Sequence, residues 1–179
     1  MGKNMMQRNP RKSHRRQRGF TLIETVLATM IMLVGLVAVA QLVGTSIFLN
    51  SANRVDSTAT VLAQNELNQF TNQTLATLFY TDNIGNVCTL GNGTTGAFVG
   101  SPIITSNDNR QVIDFSRATV NGYNFTWADP NDPSGARYDV RWAVYTFTGT
   151  FGKRFILGAR KVGGNATFYP VNLDTMVQK

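Results

Sequence analysis

Arg15-Arg16-Gln17-Arg18-Gly19-Phe20-Thr21-Leu22-Ile23-Glu24 joins a strongly basic stretch to a strongly apolar one. The basic run stops at Gly19. From Phe20 the chain stays apolar to about Leu49, and Glu24 is the single charged side chain inside that run. Thr25 to Asn53 contains no charged residue, and residues 20–80 contain no proline. About 20 apolar residues at 1.5 Å each cross the hydrocarbon core of a bilayer, and about 30 are present here. Gly35 and Gly44 are tolerated in a membrane helix, and Ala40 with Gly44 forms a weak small-xxx-small pair. A carboxylate this close to lipid is costly, so Glu24 is a functional candidate whose partner is expected to be a positive charge.

Charge is distributed as unevenly as hydropathy. The 179-residue chain has a formal net charge of +7. Lys3, Arg8, Arg11, Lys12, Arg15, Arg16 and Arg18 supply all of that excess, with no acid among residues 1–19. The remainder is neutral, which argues against a nucleic-acid-binding body. A basic tail beside an apolar span fixes the cytoplasmic side of a membrane segment. Cys88 is the only cysteine, so no intrachain disulfide is available, and a plain, partly buried thiol is expected. The only histidine, His14, lies in the basic tail.

Beyond the span the pattern changes without a helix breaker. Val55, Ala59, Leu62, Ala63, Leu67 and Phe70 recur at spacings of three and four. Asp56, Thr60, Gln64, Asn65 and Asn68 occupy the other face. One helix is therefore expected from about Phe20 to about Phe79, apolar all round in its first half and on one stripe in its second. The stripe needs a surface to cover it.

The rest reads as strands and turns. Asp82-Asn83-Ile84-Gly85-Asn86 is a turn, and residues 91–110, rich in Gly, Ser, Thr and Asn, read as loop. Short runs at Val112–Phe115 and Tyr123–Trp127, the latter after Asn121-Gly122, read as strands. Asp129 through Gly135 is a turn. Tyr138–Thr148 alternates, placing Tyr138, Val140, Trp142 and Val144 on one face and Asp139, Arg141 and Ala143 on the other. Arg154–Val162 and Ala166–Val171 complete the series. Strands joined by short turns favour an antiparallel sheet. The expected fold class is α+β: a long N-terminal helix whose distal half packs on a small antiparallel sheet. The expected domains are a leader, 1–19; the membrane half of the helix, 20–49; its amphipathic half, 50–80; and a sheet domain, 81–179.

Gly19-Phe20-Thr21-Leu22-Ile23-Glu24, after a basic leader and before an apolar helix, resembles the N-terminus of type IV pilins and their relatives. Thr25-Val26-Leu27-Ala28 through Leu33-Val34-Gly35-Leu36 is most similar to minor pilins of the PilV type. Only the first 35 or so positions are specific; the helix and sheet-rich region agree in outline. The resemblance implies that a prepilin peptidase cuts between Gly19 and Phe20 on the cytoplasmic side and methylates the new amine of Phe20. It also implies that Glu24 docks on the Phe20 amine of a neighbouring subunit. Pairing in low dielectric recovers energy that an isolated carboxylate forfeits, and it sets axial register. The implied partners are the peptidase, other pilin subunits, an inner-membrane assembly platform and, before assembly, membrane lipid. The implied location is the inner membrane, single-pass with the C-terminal domain periplasmic, then a pilus or pseudopilus. The missing disulfide and the missing helix proline favour a minor subunit over the abundant fibre-building one.

Chemistry of other kinds finds little support. No histidine remains after residue 19, and no phosphate-binding Gly-rich loop ends in Gly-Lys-Ser/Thr. No catalytic residue, metal site or cofactor is expected. Asp129 and Asp132 read as plain turn residues rather than cation ligands. Lys153, Arg154, Arg160 and Lys161, interleaved with Phe151 and Phe155, read as a solvated sheet edge rather than a nucleic-acid surface. Asn72, Asn92, Asn124 and Asn165 open Asn-x-Thr triplets to which no glycan is assigned. Two other readings share the span: a pseudopilin of a type II secretion system, and a single-pass anchor for a binding domain that never enters a filament.

Overall fold

The computed structural model describes residues 19–130, 132, 135–149, 152–163 and 169–178. Most of the leader, His14, the Asp129–Gly135 turn in part, Phe151 and the expected strand residues 166–168 lie outside that set. The chain divides into two units, 1–47 and 48–179, each considered in its own terms.

In the first unit the described residues form helix α1, which runs Leu22–Asn72 and so continues into the second unit. Its start is dictated locally. Thr21 precedes the first helical residue, and its hydroxyl accepts from the Glu24 amide at 3.4 Å. Every residue from Gly19 to Ser51 is exposed. Phe20, Leu22 and Ile31 are among the many large apolar side chains left uncovered. The helix is long and apolar enough to cross a membrane by length and composition.

In the second unit α1 has a covered side. Val55, Ala59, Leu62, Ala63, Glu66 and Phe70 are buried. The expected stripe is present, with Glu66 on it and Leu67 only half-buried. The helix ends at Asn72, not near Phe79. Side chains and the chain itself compete for its last carbonyls: Thr71 Oγ1 donates to Asn68 O at 3.0 Å, and the Gln73 amide to Phe70 O at 3.2 Å. Phe79–Thr81 is then recruited as strand β1, antiparallel to β2, Val87–Thr89.

The remaining strands are β3 (Phe98–Gly100), β4 (Ile103–Thr105), β5 (Gln111–Ile113), β6 (Asn124–Ala128), β7 (Arg137–Thr146), β8 (Gly152–Val162) and β9 (Val171–Gln178). All pairings among the described residues are antiparallel. The main sheet runs β3-β7-β8-β9, with β6 also on β7. β6 and β3 share one edge of β7: β6 covers Arg137–Arg141 and β3 covers Ala143–Tyr145. Trp142 sits at the handover, its amide donating to Tyr123 O and its carbonyl accepting from the Ser101 amide. Gly100 is needed there. Its φ is +112°, and an added Cβ would lie 2.5 Å from the Tyr123 ring.

Three expectations are corrected. Residues 91–110 are not all loop, since β3 and β4 fall within them. At three residues each, they are too short to show periodicity. Of the strand expected at 166–171, residues 169 and 170 are not in a strand, and β9 runs Val171–Gln178, held by eight residues of pairing with β8. β8 is not an edge: β7 and β9 flank it.

The alternation in β7 is as expected, but its second face is not solvated. Tyr138 through Val144 are all buried. On the α1 side, Tyr138, Val140, Trp142 and Val144 join Phe155, Leu157 and Ala159 of β8 and the helix stripe in one core. Phe70 stands at its centre, 5.2 Å from Trp142 and 5.7 Å from Phe155 between ring centroids. On the opposite side Ile113, Ala143 and Ile156 form a second, smaller core with Phe98, Ile103 and Phe115. The β4–β5 hairpin therefore covers the sheet face that the helix leaves open.

Candidate functional site

The junction at the start of α1 is built from three residues with separate jobs. Gly19 has open space around it, and a Cβ there would meet nothing within 4 Å. Among the described residues nothing demands a glycine at this position. Phe20 is 84% exposed. Thr21 caps the helix. Besides its hydroxyl contact, its carbonyl accepts from the Glu24 amide at 3.1 Å and the Thr25 amide at 3.2 Å. Thr21-x-x-Glu24 is the spacing of a capping box, a signal the sequence reading passed over.

Glu24 thus lies in the first helical turn, exposed, where the macrodipole favours a negative charge. That setting offsets part of the cost of holding a carboxylate near lipid. No cation pairs with Glu24 among the described residues, so a charged partner has to come from beyond them. Gly19, Phe20 and Glu24 lie within six residues along one exposed helix entrance rather than gathered in a cleft. The arrangement suits recognition and docking, not chemistry on a bound substrate.

The cationic residues do share one strand, β8, but not one surface. Lys153 is 3% exposed, and its Nζ donates to Thr77 O at 2.8 Å and Leu90 O at 2.9 Å. Burial lowers its pKa. Arg154 points to the other face and pairs with Asp174 of β9 and Gln111 of β5. Arg160 lies 4.7 Å over the Phe115 ring and 3.7 Å from Asp139. Phe155 is buried and unavailable to stack on a base. The expected solvated edge is corrected to an internal strand whose cations are engaged within the fold. Of the two acids in the 129–135 turn, Asp132 pairs with Arg54 at 2.7 Å.

Glu66 is the residue that sequence reasoning missed. It is 1% exposed, and its Oε2 has no hydrogen-bond partner among the described residues. Gln69 Nε2 donates to its other oxygen at 3.2 Å. Burial first, then the negative charge of Asp82, pushes Glu66 up to about 7. The signal was present in the sequence: Glu66 falls four residues after Leu62 and four before Phe70, squarely on the apolar stripe. Cys88, expected to be partly buried, is fully buried. Burial, with Asp82 and Glu66, pushes its thiol up to about 12, so it is not a nucleophile.

Residues 14–40 match the prokaryotic N-terminal methylation motif. The match covers the leader junction and the first half of the exposed helix. The chain thus carries a prepilin-type N-terminal methylation motif ahead of an α+β arrangement of one long helix and antiparallel sheets. No curated protein and no solved structure matches the chain.

Proposed function

We propose that this chain is a minor pilin-like subunit. It is made as a precursor, cut between Gly19 and Phe20 by a prepilin peptidase, methylated on the Phe20 amine, and assembled into or at the start of a type IV filament. The observation that supports this best is the methylation motif at 14–40, placed at the mouth of a helix that is exposed along its whole apolar length. Apolar surface of that extent needs lipid or other helices. A subunit that leaves the membrane for a helical bundle has both in turn. The basic leader stays cytoplasmic, and the sheet domain lies on the periplasmic side.

In the filament Glu24 of one subunit pairs with the Phe20 amine of the next. Cleavage supplies that amine, so docking waits on processing. A pseudopilin of a type II secretion system has the same maturation and is the nearest alternative. A simple membrane anchor for a binding domain is separated by its lack of processing.

Intact mass of the membrane-extracted protein, with and without the peptidase, tests the reading. Loss of residues 1–19 and one added methyl group is expected only with active peptidase. Gly19→Arg is expected to leave the full-length precursor in the membrane. A chain recovered uncut beside an active peptidase would end the proposal.

A further inference from the structure

We propose that Glu66, Asp82 and Cys88 form a binding site for a divalent transition cation, Zn²⁺, which ties helix α1 to the β1–β2 hairpin. One carboxylate oxygen from each acid and the Cys88 Sγ lie within 4.8 Å of one another, and all three residues are buried. They come from different elements: Glu66 from α1, Asp82 from the turn after β1, and Cys88 from β2. Zinc accepts thiolate at about 2.3 Å and carboxylate at about 2.0–2.2 Å, in tetrahedral geometry. Closing the cluster onto an ion takes side-chain movements of about an ångström. A thiolate in the set disfavours magnesium and calcium, which take oxygen.

A second observation points to a ligand at this place. Among the described residues Glu66 Oε2 is buried without a hydrogen-bond partner, which is costly for an acid this far from water. Asp82 is held as a metal-binding carboxylate is usually held. Its Oδ1 accepts from the amides of Ile84 at 2.9 Å and Asn86 at 2.7 Å, and its Oδ2 from Asn86 Nδ2 at 2.8 Å. Tyr80 pairs with Cys88 across the hairpin, and its buried hydroxyl also has no hydrogen-bond partner among the described residues. The proposal departs from the sequence expectation of no metal, in which Glu66 was not considered.

The test uses the full-length chain in detergent, with His14→Ala removing the leader imidazole. Co²⁺ serves as the spectroscopic probe, and Zn²⁺ is titrated against a chromophoric chelator. One ion per chain and a thiolate-to-cobalt charge-transfer band are expected. Cys88→Ser should abolish the band, and Glu66→Gln should weaken Zn²⁺ by at least about tenfold. Circular dichroism of the metal-free variants establishes that each is folded. Should Cys88→Ser fail to fold, the near-isosteric Glu66→Gln decides. Absence of stoichiometric binding, an ion bound without the band, or an affinity unchanged in Glu66→Gln overturns the proposal.

Discussion

Glu24 sits where two physical demands coincide, and a pair of substitutions separates them. As the fourth residue of Thr21-x-x-Glu24 it stands where it can support the helix start. As a carboxylate it is proposed to meet the Phe20 amine of a neighbour. Glutamine serves at this position of a capping box but carries no charge. Glu24→Gln is therefore expected to assemble as poorly as Glu24→Ala, with both still cleaved and inserted, measured by immunoblot of sheared filaments against membrane fractions. Wild-type incorporation of Glu24→Gln would assign Glu24 to capping alone. Lys153 poses a different residue-scale question, because it spends its charge on the carbonyls of Thr77 and Leu90. Lys153→Met strands both acceptors and is expected to cost about 1–3 kcal/mol in chemical denaturation at neutral pH. Burial holds the folded pKa below its ordinary 10.5, so the unfolded chain binds the extra proton in the interval between them. Stability of the wild type should therefore rise with pH across that interval, and its margin over Lys153→Met should widen. A margin that narrows toward pH 10.5 would contradict the placement of this ammonium.

Elements were legible in the sequence in proportion to their length. The span, the amphipathic stripe and the alternation of β7 are long enough for period to speak, and each has the residues expected of it. β3 and β4 are three residues long and framed by Gly, Ser and Thr, so no period exists to be read. The end of α1 was missed for a related reason. Nothing in residues 50–80 breaks a helix, yet α1 ends at Asn72 and Phe79–Thr81 pairs with Val87–Thr89 instead. The cations of β8 were misjudged because strand order is not a local property: only the sheet reveals that β7 and β9 flank it. Of the candidate site, Gly19, Phe20 and Glu24 were visible as a motif. Glu66 was not, because the stripe was traced through its apolar members alone. The β4–β5 hairpin carries the strongest element-scale prediction. It crosses β8 at Gly158, where a Cβ would lie 2.9 Å from the Phe115 ring and 3.0 Å from Ile113 Cβ. Neither atom can yield easily, so Gly158→Ala is expected to destabilise by about 1–3 kcal/mol through overpacking. The loss should be accompanied by faster amide exchange at Ile113, whose N–H donates to Asn172 Oδ1. An unchanged denaturation midpoint would mean that the hairpin does not press on the sheet there.

At the scale of the whole molecule the chain answers to two solvents. Residues 19–51 present apolar side chains on every side, and the buried stripe of α1 starts only at Val55. Everything that makes the principal core, from Val55 to Ala159, belongs to the second unit. The polar exterior of the distal helix, with Asp56, Gln64 and Asn68 exposed, is suited to water. The sheet domain should therefore not depend on the span for its fold. A fragment covering residues 48–179 is expected to be soluble without detergent, monomeric by sedimentation, and to unfold in one cooperative denaturant transition. The same chain begun at residue 20 should need detergent or lipid to stay in solution. Helicity before Val55 should fray in the fragment, since a few exposed residues at a helix end gain little from propagation. A fragment that aggregates, or melts without cooperativity, would show that the core needs the preceding apolar turns. The independent folding of the domain would then have to be abandoned, and with it the separation of anchoring from sheet-domain function.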